Sequence, residues 1–164
     1  MAIFDASLLR IAGALSALAI VFAVLFAISV IDVRTRRIPN ALVGALIIVR
    51  LAILVIEGIL GQADRALETF LGSLATALFF ASLLLVLKAV MERVLQRDCV
   101  GLGDVKLVGA GCLYLSFDQA ISAIGIASMI GILIAIYYRF VHKDRTFPFG
   151  PALCCGLFIA LVLY

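Results

Sequence analysis

The chain has 164 residues, of which 66% are hydrophobic and 14% are charged, and its formal net charge is +3. Soluble domains usually carry about a quarter charged residues, so this composition excludes an ordinary water-exposed surface, and so small a net charge gives no reason to expect a nucleic-acid partner. The uncharged runs 11–31, 69–87, 119–138 and 146–164 each approach the roughly 20 residues that cross a bilayer core. We therefore predict an all-α, polytopic membrane protein with a single domain over residues 1–164.

Helices are the expected element throughout, because a lipid core forces each backbone amide to be satisfied within its own segment. In chain order, six are predicted over residues 8–31, 41–61, 67–90, 104–117, 119–140 and 147–163. The first run is longer than the apolar core of a secretory signal and has a weak basic flank. We interpret it as a retained span rather than a cleaved signal.

The basic residues are concentrated in alternate connections between these helices. The first, third and fifth connections and their flanks hold ten of the thirteen, namely Arg34, Arg36, Arg37, Lys88, Arg93, Arg97, Lys106, Arg139, Lys143 and Arg145. Because basic residues mark the cytoplasmic side, we expect a multi-pass protein of the inner membrane with both termini facing outward. Arg50 falls inside the second helix, where a charge is costly and often functional, and no role is assigned to it.

Four cysteines stand at positions 99, 112, 154 and 155. None forms a CxxC pair, so the sequence indicates no zinc or redox site. Neither a metal nor a cofactor is expected.

Two aspartates are predicted at the same face of the membrane, Asp32 at the end of the first helix and Asp104 at the start of the fourth. Two carboxylates brought together share a proton, because both cannot comfortably ionise. Such a pair can take a proton from water and polarise a scissile carbonyl. Acidic residues also commonly flank membrane helices, and that explanation suffices for either aspartate taken alone. Helix dipoles favour Asp104 as the resting carboxylate and Asp32 as the protonated acid.

The segments around these aspartates add to the pattern. Gly101 and Gly103 precede Asp104 and would let a substrate backbone approach closely. Lys106 either steadies the active-site charge or anchors to lipid, and we favour the lipid anchor. Residues 147–153 contain Pro148, Gly150 and Pro151, which predict an irregular helix start of the kind that lines a cavity.

Together, three segments resemble the type IV prepilin peptidase family: D-x-R-x-x-x-I-P-N at 32–40, G-x-G-D-x-K-L at 101–107 and P-F-G-P at 148–151. The resemblance implies an aspartic endopeptidase that cleaves the leader from pilin-like precursors at the cytoplasmic face, with Asp32 and Asp104 catalytic. It also implies a role at the active site for Gly101, Gly103, Lys106, Pro148, Gly150 and Pro151. Long members carry a cytoplasmic insertion with paired CxxC motifs and methylate the new amino terminus. This chain is similar to the short forms, so methylation is not expected.

Two alternatives stay open at this point. A presenilin-like or signal-peptide-peptidase-like protease shares GxGD, and Pro151-Ala152-Leu153 is similar to the PAL motif of those enzymes. A transporter or assembly scaffold would use the same charges for topology and packing alone. The expected partners are pilin-like precursors and membrane lipid, and the oligomeric state is left open.

Overall fold

A computed structural model describes residues 2–95, 101–141 and 148–163. In these ranges the chain forms six α-helices and no strand, which confirms the all-α prediction. The helices are α1 (Ala2–Thr35), α2 (Asn40–Glu57), α3 (Ala63–Leu95), α4 (Leu102–Cys112), α5 (Phe117–Val141) and α6 (Gly150–Leu163).

Three helical stretches of the described residues are long and apolar enough to cross a membrane: Ala12–Thr35, Asn40–Val94 and Phe117–Phe140. Helix α6 is a shorter apolar helix over Gly150–Leu163. Large apolar side chains such as Phe26, Ile48 and Met129 lie on the outside of the bundle. This exposure is expected where lipid rather than water covers the surface.

Helices α2 and α3 fold back on each other rather than forming one rod. They are joined by a π-helical segment, Gly58–Gln62, in which Gly61 adopts φ 77° and ψ 22°, a left-handed conformation that glycine reaches without steric cost. Arg50 and Phe70 are 20 positions apart, which is about 30 Å along a straight helix. The guanidinium carbon of Arg50 nevertheless lies 5.7 Å from the centre of the Phe70 ring, so the chain reverses between them.

Several helix ends differ from their predicted positions, among them the end of α2, both ends of α3 and the ends of α1 and α4. Helix α1 continues to Thr35, past the predicted end at residue 31, and stops where Arg36 takes a positive φ of 52°. Helix α4 stops at Cys112 instead of residue 117. Its end is fixed by tertiary contacts, because Arg50 Nε donates to the Leu113 carbonyl oxygen at 2.8 Å.

Helix α6 packs against α1, α4 and α5 through small residues. A Cβ added at Gly156 would lie 2.7 Å from the Cβ of Ala127 in α5, and one at Gly111 of α4 would lie 2.5 Å from Leu157. Such close approach is the usual way in which membrane helices pack. The packing places the amino-terminal ends of α4 and α6 beside the carboxyl-terminal end of α1.

Candidate active site

Asp32 lies in the last turn of α1, and only 5% of it is exposed. Its Oδ2 atom accepts a hydrogen bond of 3.0 Å from the backbone N–H of Gly150. Gly150 is the first residue of α6, and the first N–H groups of a helix have no partner within that helix. The start of α6 is therefore stabilised by the carboxylate of Asp32, 118 positions earlier in the sequence.

Gly150 has no room for a side chain at this contact. A Cβ built on it would lie 2.6 Å from Asp32 Oδ2 and 2.8 Å from Asp32 Cγ. Pro148 is buried just before it and Pro151 is half-buried just after it. Pro151 suits the first turn of α6, because proline lacks an N–H that would have no helical partner there. The structure thus brings the third predicted segment directly to Asp32.

Asp104 lies in the first turn of α4, which follows Gly101 in an extended conformation. It is outside the three stretches that can cross a membrane. Burial and, to a smaller extent, the nearby charge of Asp32 raise the pKa of Asp104 to about 6, against the opposing effect of a hydrogen bond from the backbone of Gly101. Asp32 is therefore close enough to Asp104 to influence its ionisation.

Gly103 lies against the connection between α1 and α2. A Cβ added there would lie 3.0 Å from the Cβ of Ile38, which is tighter than ordinary van der Waals contact. Ile38 belongs to the segment that begins at Asp32, so glycine at position 103 lets the two aspartate segments approach each other. Gly101 is exposed at the same end of the bundle.

Lys106 makes a contact that the sequence did not predict. Its Nζ donates a hydrogen bond of 3.0 Å to Asn40 Oδ1, and the pair is exposed. Asn40 is the first residue of α2, so the bond joins the start of α2 to the amino-terminal part of α4. Asn40 is the last residue of the 32–40 segment, and this position marked it in the sequence. The sequence did not indicate that Lys106 would be its hydrogen-bond partner.

The Gly150 contact adds a second influence, besides the helix dipoles, on the protonation states of the two aspartates. A dipole contributes about 0.3–1 kcal/mol at an exposed helix end, whereas a hydrogen bond to a charged carboxylate is stronger than a neutral one. The Gly150 N–H favours the ionised form of Asp32, and the raised pKa of Asp104 favours its neutral form. These contacts oppose the assignment expected from helix dipoles, which stays a prediction.

No group of three His, Cys, Asp or Glu side chains that could hold a metal occurs in the described ranges. Cys112 and Cys154 are buried and Cys155 is exposed, while Cys99 lies outside the described residues.

The sequence matches the type IV leader peptidase family over residues 19–136. The chain belongs to this family. The matched range includes both aspartates and the glycines at 101 and 103, which confirms the family predicted from the three segments. Residues 148–151 lie beyond the matched range, so their position beside Asp32 is a finding of the structure.

A curated protein with a similar sequence is the prepilin leader peptidase/N-methyltransferase of Neisseria gonorrhoeae. It is 30% identical over 134 residues, which cover 82% of this chain and 44% of that protein. The chain thus spans less than half the length of this relative. No solved structure matches the chain significantly.

Proposed function

We propose that this member of the type IV leader peptidase family is a membrane-embedded aspartic endopeptidase that removes the leader from type IV pilin-like precursors. The observation that carries the proposal is that the segments of Asp32 and Asp104, from two separate helices, lie against each other: a Cβ at Gly103 would lie 3.0 Å from the Cβ of Ile38, and burial and the nearby charge of Asp32 raise the pKa of Asp104. Membership of the family and the relative's description as a prepilin leader peptidase support the substrate class.

The two aspartates divide the chemistry between them. We propose that Asp32, whose carboxylate accepts a hydrogen bond from the Gly150 N–H, takes a proton from the attacking water. Asp104, with its raised pKa, donates a hydrogen bond to the scissile carbonyl and stabilises the oxygen as it gains charge. The proton taken up by Asp32 then goes to the leaving nitrogen, so no covalent intermediate with the protein is needed.

The substrate backbone has to be extended at the scissile bond, because the amides of a helix are shielded. Gly101 is exposed beside the Asp104 carboxylate, and its absent Cβ would lie 3.2 Å from Oδ2. We propose that this open face admits the junction between the leader and the apolar helix of the precursor. The buried Pro148 and the half-buried Pro151 fix the opposite wall of the site, on α6.

We further propose six crossings of the inner membrane with both termini outward and the active site at the cytoplasmic face. Arg34, Arg36 and Arg37 lie within five positions after Asp32, and Lys106 lies near the start of α4. This basic end of the bundle suits the cytoplasmic side. Asp104 lies in the first turn of α4, so this topology puts its carboxyl group at the cytoplasmic membrane boundary.

A presenilin-like activity is less well supported by the position of the first aspartate. Asp32 is three residues from the end of α1, at the rim of the bundle, and intramembrane cleavage would be served better by a carboxylate in the middle of the helix. The family match points in the same direction.

Intact-mass measurement of a co-expressed pilin-like precursor tests the proposed function. We expect the precursor to lose its leader only when this protein is present, and the mass of the new amino terminus to show whether a methyl group is added. A precursor that keeps its full mass, together with cleavage inside an unrelated transmembrane helix, would contradict the proposal.

The pH dependence of leader cleavage is expected to follow the aspartate pair. The proton on Asp104 is present below its pKa of about 6 and is lost above it, so kcat/KM should fall as the pH rises through this region. At low pH, kcat/KM should fall again as the aspartate pair takes up its second proton, which gives a bell shape whose limits belong to the pair. A rate in purified enzyme that still increases beyond about pH 8 would indicate a different general base.

A further inference from the structure

A cavity of about 610 Å³ lies between α1 and α2, far from the aspartates. Its α1 wall, from Gly13 to Val21, precedes Asp32 by 11–19 positions, which is about 16–28 Å along the helix. Most of its lining is apolar and includes Leu18, Ile53, Ile56 and Leu161. Its polar members include Arg50, Glu57 and Tyr114.

Arg50 is buried in this wall, with only 8% of the residue exposed. Its Nε bonds the Leu113 carbonyl oxygen and its guanidinium lies over the Phe70 ring, so Nε and one face of the group are occupied. No buried nitrogen or oxygen of the described side chains lacks a hydrogen-bond partner. The two Nη atoms, which bond none of the described residues, are therefore accessible, and the cavity that Arg50 lines is the space they can reach.

The charge on Arg50 has no carboxylate partner among the described side chains. Glu57 lines the same cavity, but it is seven positions further along α2, about 10 Å away along the axis. A guanidinium in an apolar wall is costly unless an anion or water meets it. The cavity thus combines apolar walls with one buried cation, the guanidinium of Arg50, whose Nη atoms are accessible from the cavity.

We infer that this cavity binds an anionic amphiphile, whose carboxylate or phosphate pairs with the Nη atoms of Arg50 and whose single acyl chain lies along the apolar walls. The charge of Arg50 selects an anion, and its planar fork matches a carboxylate or phosphate in two parallel hydrogen bonds. The volume argues for an extended chain, because a helix about 10 Å wide needs about 800 Å³ for each 10 Å of its length. This inference is independent of the proposed peptidase activity.

Native mass spectrometry of the purified full chain in a neutral detergent tests the inference. The probes are palmitate, 1-palmitoyl-lysophosphatidate and hexadecanol, which share one chain and differ in the head group. We expect one bound molecule of an acid per protein, with an affinity at least about tenfold above that of the alcohol. The comparison of palmitate with the lysophosphatidate decides between a fatty acid and a lipid phosphate as the source of the anion.

Two variants locate the site. Arg50→Gln should bring the affinities for palmitate and hexadecanol to within about twofold of each other. Gly13→Phe should reduce binding of both probes, because position 13 lines the cavity and has no atom within 4 Å of an added Cβ. Gly125→Phe is the matched control, since it is equally unobstructed but lies on α5, outside the cavity.

Equal binding of acid and alcohol by the wild-type protein would overturn the inference and leave water as the partner of Arg50. An acid preference that survives in Arg50→Gln would also overturn it. If Arg50→Gln does not fold, the comparison of Gly13→Phe with Gly125→Phe decides. Loss of palmitate in Gly13→Phe but not in Gly125→Phe supports the site, and equal binding in both contradicts it.

Discussion

Replacing either Asp32 or Asp104 by Asn is expected to lower the rate of leader cleavage by about 1,000-fold or more. At position 32 the amide cannot take a proton from water. At position 104 it cannot deliver a carboxyl proton toward the substrate oxygen, and it also removes the group whose pKa is raised by burial and by Asp32. The rate is measured with purified variants and a pilin-like precursor, by following the appearance of the shortened product.

Asp118→Asn is the matched control for these variants. Asp118 lies in the first turn of α5 and is exposed, so it repeats the change of charge at a helix start away from the pair. We expect it to cleave at the wild-type rate within about twofold. If Asp32→Asn or Asp104→Asn cleaves as fast as Asp118→Asn, the aspartates are not the catalytic pair.

Gly150→Ala is expected to lower cleavage by about 100-fold or more, although it adds only one methyl group. The new Cβ would lie 2.6 Å from Asp32 Oδ2, so either the carboxylate turns away or the start of α6 shifts. Both responses break the hydrogen bond of 3.0 Å from the Gly150 N–H that fixes the carboxylate. The measurement is again the cleavage rate, now combined with the thermal unfolding of the variant in detergent.

Gly125→Ala is the comparison for this second variant, because an added Cβ at position 125 meets nothing within 4 Å. Alanine is favoured over glycine inside a helix by roughly 0.5–1 kcal/mol, so this control should unfold at the same or a higher temperature and remain active. A Gly150→Ala variant with full activity would show that the α6 contact does not position Asp32.

The helical architecture followed from the sequence because a hydrocarbon core permits few alternatives. Uncharged runs such as 69–87 and 119–138 predict helices by length and hydropathy, and α3 and α5 contain them. The end of α4 at Cys112 was not predictable in this way. It follows a tertiary contact, because Arg50, 63 positions earlier, donates a hydrogen bond to the Leu113 carbonyl oxygen.

The residues of the site were predictable as segments, but their contacts were not. The pattern around Asp32, Asp104 and Gly150 indicated the family, and the family match confirms it. The distribution of the proton between the aspartates stays a prediction. Helix dipoles are a local property, whereas the Gly150 N–H reaches Asp32 only through the packing of α1 on α6, which the sequence did not indicate. The bond between Lys106 and Asn40 likewise joins residues 66 positions apart.

The measurement that tests the shared role of the two carboxylates most directly is the cleavage rate of the double variant Asp32→Asn/Asp104→Asn beside both single variants. Groups that act as one unit have strongly non-additive effects, so the double variant should retain the residual rate of the slower single variant within about threefold. Two losses that multiply, leaving the double variant about 1,000-fold slower than either single variant, would mean that Asp32 and Asp104 act independently and would contradict a catalytic pair.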